Sequence, residues 1–236
     1  MSIKHWNENE RPREKLLERG AEALSDAELL AILLRVGTQG MSAVDLARSL
    51  IQQFGSLRGV MSAPYPQLSQ HKGMGLASFA QFSAVREIGK RILGEQLRQT
   101  PVFDHPDTVG DYLRLRLGHE AVEVALVLLL DAQNRLLACR EMARGSVSES
   151  TVYSGEIAKY ALHHHAAAVI FAHNHPSGNP QASPADHAFT RKLQAGLALL
   201  DIALLDHFIV TAGQTVSFVQ QGWLKPDASS ANTHSG

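Results

Sequence analysis

Two short apolar runs, Val124 to Leu130 and Ala166 to Ala172, constrain the C-terminal half of this chain more than any other feature. Each is far shorter than the roughly 20 apolar residues that a bilayer span requires. The first, with Glu123 ahead of it, is a continuous β-capable stretch. Asp131-Ala132-Gln133-Asn134 follows as a hairpin turn, and Arg135 to Met142 as the returning strand. The second holds a buried strand, Ala167 to Ala172. Around these strands, helices are expected over Asp107–Leu117, Ser154–His165 and Ser183–Leu200. Ala203 to Thr211 and Thr215 to Val219 close the module as strands about a turn at Gly213. The C-terminal half is therefore a mixed α/β module.

The N-terminal half reads differently. Ser25-Asp26-Ala27-Glu28 is a capping box that opens a helix through the apolar run Leu29 to Leu34. Val36 to Gly40 breaks it, Ser42 starts a second helix, and Gly55 stops that one after Phe54. Gln67 to Gln70 reads as a short helix, His71-Lys72-Gly73-Met74-Gly75 as a tight turn, and Leu76 to Leu93 as a long helix. Helix, glycine turn, helix thus occurs twice. Gln96 to Pro106 carries two prolines and no helical period, so the division is set at an all-α domain over 1–100 and a mixed-sheet domain over 101–224. The polar tail 225–236 is expected to be disordered.

Hydrophobic residues make up 44% of the 236 positions and charged ones 19%, enough apolar material to bury a core. Met1 to Lys15 is polar and lacks the apolar stretch of a signal peptide. The single cysteine, Cys139, can form neither an internal disulfide nor a thiolate cluster, so a bound metal must use His, Asp or Glu. The expectation is a soluble cytoplasmic protein with no membrane association. Residues 1–100 carry 13 Lys and Arg against 10 Asp and Glu, whereas residues 101–236 carry 9 against 13. Any phosphate contact therefore belongs to the first part, where Arg58, Lys72, Arg86, Lys90 and Arg91 face Glu87 alone between Gly55 and Arg91.

Phe171-Ala172-His173-Asn174-His175-Pro176 leaves the second buried strand and at once presents two histidines. Two residues apart on extended chain, their side chains point to one side and can converge on one ion. Eleven residues on, behind the turn Pro176-Ser177-Gly178-Asn179-Pro180, Ser183-Pro184-Ala185-Asp186 has the form of a helix start. Its carboxylate at the third helical position can point back toward the strand tip. Alone, the serine and aspartate make an ordinary capping box, and a single histidine is more often just a satisfied polar residue. Together they give two imidazoles and one carboxylate, which leaves a fourth tetrahedral position for water, the open arrangement of a catalytic Zn2+.

These residues resemble the JAMM motif of the JAB/MPN metalloprotease fold: a glutamate, then His-x-His-Pro, then Ser-x-x-Asp. Over about residues 10–224 the chain resembles RadC-family proteins. Besides the motif, the likeness rests on Leu24-Ser25-Asp26-Ala27-Glu28-Leu29-Leu30, Gly73-Met74-Gly75 with Glu87 and Arg91, Arg144-Gly145-Ser146 and Leu205-Asp206-His207. The resemblance implies His173, His175 and Asp186 as zinc ligands, a zinc-activated water, and an upstream glutamate as general base at the start of the first central strand. Glu123 is the choice for that base, with Glu120 and Glu141 as alternatives. Ser183 matches the motif's serine, whose hydroxyl can stabilise an oxyanion. Asn179 and Ala182 stand where many relatives carry Asp and Pro; both lie in the turn and not among the ligands.

Other features carry less. Consecutive His163, His164 and His165 on a helix diverge by about 100° and cannot share one ion; a helix C-terminus that favours histidine accounts for them. Asp206-His207 is expected to be a buried hydrogen-bonded pair, with ligand orientation as the alternative. Cys139 is expected to be a small apolar filler. The Lys72–Ala77 turn resembles the hairpin of helix-hairpin-helix domains, whose backbone N–H groups approach phosphate. That implies weak, sequence-independent DNA binding through 55–91, against a compact module that uses glycine for packing or partner docking. Ser78, where many relatives are basic, weakens the DNA reading. The leading expectation is a zinc hydrolase of peptide or isopeptide bonds, acting on an unknown peptide or protein substrate. A DNA-processing metalloenzyme ranks second, because only Arg191 and Lys192 closely follow the motif, and a binding module with structural zinc ranks third.

Overall fold

In the computed structural model the described residues are 7, 10–102, 106–145 and 154–225. The tail 226–236, part of the segment around Pro106 and most of the start of the chain lie outside them. The chain divides into two compact units, Met1–Ile88 and Gly89–Gly236. No described helix is long and apolar enough to cross a membrane.

The first unit is helical. It contains α1 (Pro12–Arg19), α2 (Asp26–Leu34), α3 (Ala43–Phe54), α4 (Leu57–Ser62), α5 (Tyr65–Leu68) and the start of α6 (Leu76–Gln99). Ser25 and Glu28 form a reciprocal capping box on α2, and Ser42 with Asp45 forms a second on α3. Gly55 ends α3 in the left-handed conformation. The short helix α4, capped by Ser56, was not anticipated. Leu30, Val44, Leu50, Val60, Leu68 and Phe82 form the core of this unit.

Helix α6 runs six residues past its expected end at Leu93. Leu97 is buried in the core of the second unit and Leu93 packs against it, so tertiary burial sustains the last turns. The chain leaves the helix at Thr100, where the following proline disfavours helical backbone. The division between the units accordingly falls inside α6 at Ile88, twelve residues before the boundary expected at 100. The loss of periodicity after Gln96 marks the end of a helix shared by both units.

The second unit adds α7 (Pro106–Leu117), β1 (Val124–Leu130), β2 (Leu136–Arg144), α8 (Ser154–His163), β3 (Ala168–Asn174), α9 (Pro184–Ala198), β4 (Ala203–Val210) and β5 (Thr215–Ser217). The sheet order is β2-β1-β3-β4-β5; β3 and β4 are parallel and the other neighbours antiparallel. Helix α9 lies between β3 and β4 in sequence, on the crossover that a parallel pair requires.

The two apolar runs are continuous because both faces of the sheet are covered. Val124, Leu126, Leu128 and Leu130 pack with Val109, Leu113 and Leu117 of α7. Ala125, Val127 and Leu129 pack with Ile157 of α8 and with Phe189 and Leu193 of α9. Each buried leucine or valine contributes about 1.5–3 kcal/mol relative to exposure.

Candidate metal centre

The site forms where β3 runs out. His173 still pairs with Ala125 of β1 and Ile209 of β4, and the backbone N–H of His175 donates to Val210 O at 2.9 Å. Extended backbone therefore persists past the expected strand end at Ala172 and holds both imidazoles on the face that α9 covers. His173 is buried and His175 half-buried. In the following turn Gly178 has φ +81°, and Asn179 O comes 2.8 Å from His175 Nδ1. The backbone N–H of Gln181 donates to Asn179 Oδ1 at 3.1 Å. Asparagine thus organises the turn at a position where the resemblance implied aspartate.

Helix α9 then opens on the Ser183–Asp186 capping box. Asp186 Oδ2 accepts from both the backbone N–H and the hydroxyl of Ser183, each at 2.7 Å, while the Asp186 N–H donates to Ser183 Oγ at 3.1 Å. The Ser183 hydroxyl proton is thus committed to the carboxylate that it orients. His173 Nε2 lies 2.9 Å from His175 Nε2 and 3.2 Å from Asp186 Oδ1; His175 Nε2 is 3.7 Å from Asp186 Oδ2. The three side chains each offer one ligand atom, all within 4.8 Å of one another.

Proton placement shows what this cluster suits. Asn179 O can only accept, so His175 Nδ1 carries a proton and a neutral His175 turns a lone pair inward at Nε2. Asp186 brings carboxylate oxygens to the same point. Burial works to raise its carboxyl, but the hydrogen bond and charge of His173 when that ring is protonated, with both Ser183 donors, outweigh that and hold it well below the usual carboxylate range. Converging acceptors backed by donors fit a divalent cation held by two nitrogens and an oxygen.

A second layer lies behind His173. Its Nδ1 is 2.8 Å from His207 Nε2 on β4, and His207 Nδ1 is 2.6 Å from Thr190 Oγ1 on α9. Burial first, then the neighbouring His173, pushes the His207 imidazole well below its ordinary pKa. Asp206 points the other way, accepting from Ser217 Oγ and from the backbone N–H groups of His207 and Val219. Burial raises its pKa despite those donors. Asp206 and His207 are therefore not a side-chain pair: their alternation on β4 sends one to the β5 junction and the other to His173. Sequence reasoning missed Thr190, although its place one helical turn after Asp186 was visible.

Glu123 is half-buried, and its carbonyl accepts from Gly145 N at 2.9 Å. Glu123 lies two residues before Ala125, the register partner of His173, and the β1–β3 pairing ends at Ala125. Glu141 is the register partner of Leu126, which faces α7 on the other side of the sheet. Arg144 binds Glu141 through two nitrogens at 2.8 Å and Glu120 at 2.7 Å. Its hydrogen bond is the first cause of the lowered pKa of Glu141. Among the other sequence candidates, His164 Nδ1 lies 2.9 Å from Tyr160 O, and Cys139 packs half-buried against the α7 side of the core, its thiol pKa raised by burial.

A mixed sheet that brings His-x-His and a helix-capping aspartate together defines a JAB-type domain, and residues 103–223 match the family described as RadC-like JAB domain. Residues 3–80 match the family described as UPF0758 N-terminal. The chain belongs to the UPF0758 family of RadC-like proteins. A UPF0758 protein of Neisseria meningitidis serogroup C is 62% identical over 222 residues, covering 94% of this chain and 99% of that protein. One from Chromobacterium violaceum is 50% identical over 224 residues, covering 95% and 100%.

Proposed function

We propose that the second unit is a zinc-dependent hydrolase of peptide or isopeptide bonds, with His173, His175 and Asp186 as the metal ligands. The observation that carries this reading is the convergence of two histidine nitrogens and a carboxylate, oriented from behind by Asn179 and Ser183. Zinc held there would supply a water with pKa near 7 and polarise a scissile carbonyl. Glu123, immediately ahead of β1, would take the proton from the attacking water and pass it to the leaving nitrogen. Ser183 orients Asp186; its hydroxyl can serve an oxyanion only by turning away from that carboxylate. The substrate is a peptide or protein, and the compartment the cytoplasm, in keeping with a single cysteine.

Elemental analysis of protein purified without chelator tests this reading. The expected content is one zinc per chain, abolished by His173→Ala or Asp186→Ala. No zinc, with no uptake on reconstitution, ends the proposal.

A second reading, weak sequence-independent DNA binding by the first unit, is favoured by the open backbone at the start of α6. A methyl group at Gly75 would meet no atom within 4 Å, and Lys72 lies in the same turn. It is compatible with the hydrolase reading, and would place the enzyme on DNA or give a DNA-processing metalloenzyme its purchase.

A further inference from the structure

We propose that Thr190 and His207 are positioning residues that fix which nitrogen of His173 carries its proton. This inference rests on the zinc reading above and assigns the origin of one ligand's lone pair.

The carbonyl oxygen of Asp186 can only accept, and Thr190 Oγ1 lies 2.6 Å from it, so the threonine hydroxyl spends its one proton there. Thr190 Oγ1 must then accept in its 2.6 Å contact with His207 Nδ1, so that nitrogen carries the proton. The His207 ring is 1% exposed between Phe171 and Phe218 and neither of its nitrogens meets a carboxylate, so it holds one ring proton, which leaves Nε2 bare. His207 Nε2 lies 2.8 Å from His173 Nδ1, so the proton in that bond belongs to His173 Nδ1. A neutral His173, the form that can bind a metal, then keeps its lone pair at Nε2, the nitrogen that faces His175 and Asp186.

Water cannot readily substitute in this relay. Thr190, His207 and His173 are exposed by 2%, 1% and 4%. Phe218 stacks on the His207 ring at 4.3 Å, and Phe171 meets it edge-on at 4.9 Å. The relay starts and ends on the same ligand pair: Thr190 sits one turn after Asp186 on α9, and β4 carries His207 across to His173 on β3. Reversing the hydroxyl would reverse every proton in the chain and place a proton on His173 Nε2, where a metal ligand needs a lone pair.

The test pairs nitrogen-15 NMR of the histidine rings with zinc competition against a chromophoric chelator, both on the full chain. In metal-free wild type, His207 is expected to be protonated at Nδ1 and bare at Nε2, with His173 protonated at Nδ1. Thr190→Val is expected to raise the zinc dissociation constant by about 10–100-fold, the usual effect of losing a partner behind a ligand. Thr190→Ser, which keeps the hydroxyl, is expected to stay within about threefold of wild type by the same measure. His207 protonated at Nε2, or wild-type zinc affinity in a folded Val variant, overturns the proposal. If the Val variant fails to fold, the wild-type ring protons and the Ser variant decide it. A wild type that binds no zinc sinks the functional reading instead, and the ring protons, read without metal, still decide the relay.

Discussion

Asn174, the residue between the two site histidines, accepts the backbone N–H of Val124 at 2.7 Å across the junction of β3 and β1. Its amide nitrogen donates to the carbonyls of Val122 at 3.0 Å and Glu120 at 3.2 Å. One buried side chain thus stitches the approach to β1 from Glu120 to Val124, and Glu123 sits inside the stitch. Asn174→Ala is expected to cost about 1–3 kcal/mol, the penalty for orphaning buried polar groups. Calorimetric unfolding should show that loss while zinc content is unchanged, because no ligand is removed. A variant that unfolds like wild type would detach Asn174 from the placement of Glu123.

The general base is tested by a variant that keeps shape and metal. Glu123→Gln is expected to retain zinc and to lose activity by about 100-fold or more, the scale for removing a positioned proton-transfer group. His175→Ala should lose both. Glu141→Gln, altering a carboxylate on the opposite sheet face and bound to Arg144, is expected to leave turnover near wild type. Turnover and zinc content measured in parallel separate the cases. Full activity in Glu123→Gln with loss in Glu120→Gln or Glu141→Gln moves the base and leaves the mechanism standing; activity in all three removes the acid–base assignment.

The convergence of His173, His175 and Asp186 was legible in the sequence because each rests on a local rule. His173 and His175 share a face through strand alternation, and Asp186 points backward because it closes a capping box with Ser183. The strands β1 and β3 likewise followed from the unbroken apolar runs. Thr190 was not singled out, and for His207 ligand orientation was only the alternative to a pair with Asp206, because their places depend on β4 lying beside β3, a contact between distant parts of the chain. The end of α6 was misjudged for the same reason: Leu97 is helical because of what buries it, and nothing adjacent in sequence reveals that.

Phosphate binding by the first unit has a salt signature. The full chain is expected to bind duplex DNA weakly, with affinity falling steeply as salt rises, because each phosphate contact releases counterions. Lys72→Glu should weaken binding evenly across sequences, and fluorescence anisotropy over a salt series measures both. Binding insensitive to salt and to Lys72 would point to partner docking.

The two glycines of the α6 turn separate packing from phosphate recognition. Gly73 has φ +91°, and a methyl group there would stand 2.4 Å from Thr38 Cγ2, a stiff β-branched neighbour. Gly73 is therefore explained by the fold alone, and Gly73→Ala is expected to destabilise the unit by about 1–3 kcal/mol through backbone strain, with overpacking added. Gly75 has no such constraint: its φ is not left-handed, and the space around it is open. Gly75→Ala should leave stability unchanged or raise it by about 0.4–1 kcal/mol, since alanine restricts the unfolded chain. If the turn approaches phosphate through its backbone, that added methyl nevertheless lowers DNA affinity, because it stands where the phosphate must come. Thermal unfolding and DNA titration of the same two variants thus give opposite patterns. Equal DNA affinity in Gly75→Ala and wild type would leave the turn a packing device and remove the hairpin from the binding account.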